Sequence, residues 1–296
     1  MLKTRQRTRV FSMEYSLKTL LLCSALVMTA CQSTPTETNA PASVAPENAA
    51  IHDAVTGQRL TPEQLLARLA TAPMVILGEE HTNAEHHRIE TWLLQNLNAK
   101  RQQGSVLLEM IDSSQQEAVN RVKAATRSGT TVSSNRAAQA LRWNPGWPWD
   151  LYGDLVMTAL QGPYPLLAAN ISRQQVNDLY TNPTFPPGER TSRPQVHESL
   201  SAIIYLMHDG QISDEQIQAM MAIQQHRDRF MAEQLLKAPR PALLVAGGYH
   251  AAKDIGVPLH MADLNGEAPV VVMLTTEGTT VSAKQADVVW SVPAAK

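Results

Sequence analysis

The sequence predicts an α/β fold, a single domain with a mostly parallel central sheet and helices on both faces. Three observations predict it. Five short apolar runs are continuous rather than alternating. They are bounded by Pro or Gly, and longer stretches with helix-start signals separate them. Continuous apolar strands are buried on both faces, and parallel strands need helical crossovers.

The predicted strands, in order, are 74–77, 106–108, 166–169, 242–246 and 270–274. Thr61-Pro62-Glu63-Gln64 reads as a capping box with Pro at the first helical position. Thr82-Asn83-Ala84-Glu85 reads as a second box with Thr82 as the cap, and Ser213-Asp214-Glu215-Gln216 as a third. Between 214 and 237, Ile217, Met221, Gln224, Asp228, Met231 and Leu235 recur every three or four residues on one helix face. Gln224 and Asp228 interrupt that apolar stripe, so they need polar partners inside. Residues 181–194 hold four prolines and a glycine and read as a loop.

Composition narrows the function. The chain has 296 residues, 44% of them hydrophobic, with 25 Lys and Arg against 27 Asp and Glu. Residues 1–30 carry Lys3, Arg5, Arg7, Arg9 and Lys18 against Glu14, so the rest is net acidic and offers no electrostatic footprint for nucleic acid. The two cysteines, Cys23 and Cys31, cannot build a disulfide scaffold or a cysteine metal cluster.

The amino terminus reads as an address. Residues 20–30 are an apolar run too short to span a bilayer; it follows basic residues and ends in small ones, the layout of a secretory signal. Met28-Thr29-Ala30-Cys31 resembles a bacterial lipobox, with Cys31 as the lipidated residue and either Met1 or Met13 as the start. With Gln32 rather than Asp after Cys31, the resemblance to enterobacterial lipoproteins implies the outer membrane rather than retention at the inner one. The expected organisation is a lipoprotein signal peptide over 1–30, a flexible Pro/Thr/Ala tether over 31–50 and an α/β domain over 51–296. No thiol then remains in the body, which excludes thiolate nucleophiles and cysteine-ligated centres.

Four of the predicted strands run directly into polar residues: Gly78-Glu79-Glu80-His81, Glu109, Asn170 and Gly247-Gly248-Tyr249-His250. Parallel strands bring these ends to one carboxyl edge, where open α/β sheets place ligands. Two of the ends share Gly-x-x-His. The candidate polar site is therefore Glu79, Glu80, His81, Glu109, Arg227, Asp228 and His250. Imidazole and carboxylate there suit proton transfer or a divalent metal; Arg227 either serves this site or pairs with Asp228. His86 and His87 lack the His-Glu-x-x-His spacing and read as surface residues. The loop 142–149 holds three of the five tryptophans and reads as a lid over the core or a wall for a flat ligand. Tyr205 and His208 lie three apart on one helix face.

Taken together, the Gly-Glu-Glu-His, Leu-Glu-Met (108–110), Trp-loop, Gln-Gln-His-Arg-Asp (224–228) and Gly-Gly-Tyr-His segments resemble the ChaN family. These are haem-binding, iron-regulated lipoproteins related to the TIKI and erythromycin-esterase groups. Tyr249 departs from the family pattern, where a smaller or amide residue precedes the His. The resemblance implies haem bound at the interface of a homodimer through an oxygen ligand, and a role in haem or iron acquisition beside an outer-membrane uptake system. It does not place the ligand. Tyr205 is the first candidate, with His208 as propionate partner, and Tyr249 the second. Non-catalytic haem binding is the expected function. A hydrolase built on the paired Gly-x-x-His site is the alternative, and a lipid-anchored partner-binding module a weaker one.

Overall fold

A computed structural model describes residues 50–294. The signal, Cys31 and the tether through residue 49 lie outside the described residues. In chain order the elements are β1 (Ala50–Asp53), β2 (Arg59–Leu60), α1 (Pro62–Ala70), β3 (Met74–Glu79), α2 (Ala84–Lys100), β4 (Ser105–Asp112) and a 3-10 turn (Ser113–Gln115). Then follow α3 (Gln116–Arg127), α4 (Ser134–Ala140), α5 (Trp149–Gln161), β5 (Leu166–Asn170), α6 (Arg173–Thr181) and α7 (Pro194–Met207). The chain continues through α8 (Asp214–Lys237), β6 (Ala242–Gly247), α9 (Gly248–Ala251), α10 (Val257–Asp263), β7 (Val270–Thr276) and β8 (Val288–Val292).

The sheet order is β2-β1-β8-β7-β3-β6-β4-β5. All five predicted strands are present, adjacent and parallel. Three strands were not anticipated. β8 joins β7 in parallel, and β1 and β2 add an antiparallel edge. Register puts Met74 opposite Ala242 and Glu79 opposite Gly247, so β3 and β6 end level.

The pleat sends alternate side chains to opposite faces. Val75 and Leu77 of β3, with Val106 and Leu108 of β4, pack into a core built with α1, α2, α3 and α5. Met74, Ile76 and Leu107 pack into a second core with α7, α8 and α10. Thr61 and Ser213 cap α1 and α8 through full capping boxes, as expected. At α2 the cap is Asn83 rather than Thr82: its side chain accepts from Glu85 N–H, with no reciprocal box. Asn is preferred to Thr at that position.

Gly78, which opens the first Gly-x-x-His, is fixed by crowding. An added Cβ would stand 2.6 Å from both Ala251 Cβ and Met273 Sδ. The first of these contacts cannot swing aside. Gly78→Ala is expected to cost about 1–3 kcal/mol through overpacking, read as a lower denaturation midpoint of the full chain; an unchanged midpoint would contradict the packing described.

Candidate functional site

Three neighbouring strands, β3, β6 and β4, deliver the site to one edge of the sheet. β6 passes at Gly247 straight into the four-residue α9, which carries buried His250. Its Nδ1 lies 2.5 Å from Asp228 Oδ1 and its Nε2 3.3 Å from Glu109 Oε1. Gly247 N–H donates to Glu109 Oε2 at 2.8 Å, and Gln224 Nε2 lies 3.0 Å from His250 Nδ1. Asp228, the carboxylate that interrupts the α8 stripe, thus has its partner, and it is His250.

An imidazole with a carboxylate at each nitrogen is held as the cation. Burial disfavours that charge, but Glu109 and Asp228 outweigh it and push the His250 pKa up to about 10. Burial acts on Glu109 in the opposite sense to its neighbours, and the His250 charge and bond win, drawing it down to about 2. For Asp228 burial prevails over His250, and with repulsion from Glu109 it goes up to about 6. Glu109 is therefore the fixed anion, and His250 is the cation it shares with Asp228.

The first Gly-x-x-His forms the other half. His81 Nδ1 sits 2.5 Å from Glu79 Oε1, which also accepts the Tyr152 hydroxyl at 2.9 Å. Glu79 is buried while the His81 side chain is 42% exposed, so one ring nitrogen is anchored and the ring reaches solvent. The ring lies on Gly247, where a Cβ would meet His81 Cε1 at 2.7 Å and Nε2 at 2.9 Å. Glycine there is a condition of close approach. Burial pulls the His81 pKa down, but the Glu79 bond and the Glu109 charge more than offset it and raise it. Burial and the Glu79 charge push the Tyr152 phenol far up, keeping it a neutral donor. Trp147 meets His81 edge-on at 4.8 Å, so the Trp loop lids this half.

The structure brings together Glu79, His81, Glu109, Asp228 and His250. Glu80 does not join them. It is exposed and ties β3 to β7 by accepting from the Thr276 backbone N–H and hydroxyl at 3.2 and 2.9 Å. Arg227 makes no ion pair with Asp228 among the described residues and reaches it only through its field, which lowers the Asp228 pKa slightly. Tyr205 and Tyr249 are exposed, at 48% and 49%, and neither has its hydroxyl in this network.

Sequence reasoning misplaced two histidines and missed two partners. His86 and His87 are buried, not on the surface. His86 Nδ1 accepts the Glu80 N–H at 3.0 Å; burial lowers its pKa and holds it neutral. His87 Nδ1 lies 3.1 Å from Oε2 of fully buried Glu90, and its Nε2 3.1 Å from the His81 carbonyl. Burial pushes Glu90 up to about 7, only partly offset by His87. Tyr152, the remaining missed residue, carried one signal: it lies one turn after Trp149, on the face of α5 that meets the lid.

Comparison with known proteins adds to this geometry. The family model described as haem-binding uptake, Tiki superfamily, ChaN matches residues 65–261. A solved structure described as cofacial heme binding to ChaN of Campylobacter jejuni is similar at a TM-score of 0.75 and 27% identity, over 82% of this chain and 96% of that one. A variant of the erythromycin esterase EreC in its open conformation aligns at a TM-score of 0.47 and 14% identity, over 78% of each chain. No protein of curated function matches the chain.

The pairing at His250 predicts a pH signature. Its pKa is raised on folding, so its contribution to stability is whole below its ordinary 6.5 and is lost as pH climbs towards about 10. Glu109 is the reverse: its contribution holds above 4.5 and is lost as pH falls towards about 2. Asp228, raised on folding, works against both above 3.8. His250→Asn strands two buried carboxylates and is expected to cost about 3–5 kcal/mol at pH 7. The gap from wild type should narrow steadily up to pH ~10 in urea unfolding; a gap of constant size would refute the paired cation.

Proposed function

The chain belongs to the ChaN haem-binding uptake family of the Tiki superfamily, and from that premise we propose that it binds haem on the exposed end of α7 and serves haem or iron acquisition. The observation that carries the placement is a phenol on an apolar surface. Tyr205 is 48% exposed and is followed by Leu206 at 73% and Met207 at 64%. A tyrosine oxygen is a known haem-iron ligand, and uncovered Leu and Met beside it suit the flat face of a porphyrin.

The local structure holds Tyr205 in place. α7 ends in a turn through Gly210 at φ +70°, where a Cβ would stand 2.7 Å from the Tyr205 hydroxyl. His208 follows on the same turn, its Nδ1 2.8 Å from the Ile204 carbonyl, which can only accept. That bond fixes a proton on Nδ1 and leaves Nε2 to pair with a propionate once protonated. The residues present therefore fit haem: Tyr205 to hold the iron, Leu206 and Met207 to cover the ring, His208 to meet a carboxylate. Tyr249, exposed on α9 next to His250, is the alternative oxygen ligand. Bound haem supplies a ferric centre for transport or storage; the protein supplies its seat. On this reading the haem sits at the interface of a homodimer, and Cys31 lipidation would hold that dimer at the outer membrane of the bacterial envelope.

The Glu79–His81 dyad favours a second reading. Its imidazole is oriented by a buried carboxylate and reaches solvent, the arrangement of a general base. His250, held as a cation between Glu109 and Asp228, is unsuited to that role. Ester or peptide turnover abolished by His81→Ala would establish this hydrolase reading.

Titrating the full chain with hemin is expected to shift the Soret band and to raise the mass to that of a dimer. Tyr205→Phe should remove the shift and Tyr249→Phe should leave it. Loss only in Tyr249→Phe would move the ligand to α9, and an unchanged spectrum in both would remove the tyrosine-ligated reading. Labelled palmitate lost on Cys31→Ser would report the anchor.

A further inference from the structure

We propose that Glu79, His87 and Glu90 form a binding site for one divalent transition-metal ion, held between the end of β3 and the first two turns of α2. The three side chains are buried, and one ligand atom from each lies within 4.8 Å of the others. Ligand atoms bonded at about 2.0–2.2 Å to a tetrahedral metal stand about 3.3–3.6 Å apart, so the side chains must close by up to about 1.5 Å on binding.

The bonding pattern points to a cation. The His81 carbonyl, 3.1 Å from His87 Nε2, can only accept, so Nε2 carries a proton. In its neutral form the ring presents its Nδ1 lone pair to a carboxylate, Glu90 Oε2, at 3.1 Å. Two lone pairs face each other there unless something positive lies between them. A ring N–H given to a backbone carbonyl is also how metal-binding histidines are commonly oriented. Glu79 Oε2 and Glu90 Oε1 are both buried with no hydrogen-bond partner, and Glu90 is 0% exposed. Buried carboxylate oxygens of this kind call for a partner.

There is also a way in. A cavity of about 660 Å³ between α2 and α5 is lined by His87 itself, with Thr91 and Trp92 on one wall and Asp150 and Asp154 on the other. The two aspartates are one turn apart and exposed, so the approach favours cations. Arg88 on the same wall is neutralised by Glu85 at 2.9 Å. One imidazole with two carboxylates and no thiol suits Zn2+ or Mn2+ rather than a soft metal. An ion here would join α2 to β3 directly behind His81, through the carboxylate that orients that ring. The haem reading forms no part of this argument.

The test uses the full chain, stripped with chelator, dialysed and loaded with Zn2+ or Mn2+. One metal per chain and a raised melting temperature are expected. Glu90→Gln, nearly isosteric, should lose the metal while keeping the near-ultraviolet dichroism of the Trp loop. X-ray absorption of the Zn2+-loaded wild type needs no variant and should show a nitrogen and oxygen shell with a single imidazole. No stoichiometric metal in the wild type, a folded Glu90→Gln that retains it, or a shell with no imidazole or more than one would overturn the proposal. In that event a proton shared by His87 and Glu90 is left to bridge the pair. Hemin titration of the same samples reads the haem site separately.

Discussion

Burying a carboxylate is costly unless a cation or donors meet it, and this fold buries two on the strands that flank β6. Glu79 ends β3 and Glu109 lies within β4, and the pleat turns them to opposite sides of the sheet. Glu79 follows Val75 and Leu77 towards α2 and α5; Glu109 follows Leu107 towards α8. Each meets an imidazole supplied by a Gly-x-x-His turn. The two halves touch where His81 rests on Gly247. The inward Asp228 and the neutral Tyr152 both follow from keeping those two carboxylates matched.

The central sheet was legible because its signal is local. Five continuous apolar runs each mark a strand covered on both faces, and polar residues directly after them mark the edge. β1, β2 and β8 were not. β1 and β2 are short and partly exposed, with His52 and Arg59 in them, and such edge strands lack a continuous apolar run. β8 has one, Val288-Val289-Trp290, but follows a polar stretch without a helix to announce it.

Within the site, strand-end residues were readable and helix-borne ones only in part. Asp228 stood out because it breaks an apolar stripe. His86, His87 and Glu90 did not, since α2 buries polar and apolar side chains together and shows no clean stripe to interrupt. Tyr152 looks like ordinary core in sequence; its role depends on Glu79, 73 residues away. Glu80 shows the converse error. Adjacent to Glu79, it faces the other way by the same alternation and serves β7 instead.

The contact between Trp147 and His81 has an optical consequence. An indole 4.8 Å from an imidazole is close enough for its emission to respond to the charge on that ring. The lid thus carries its own dye, and gain or loss of a proton at the exposed histidine can be followed by fluorescence without any label.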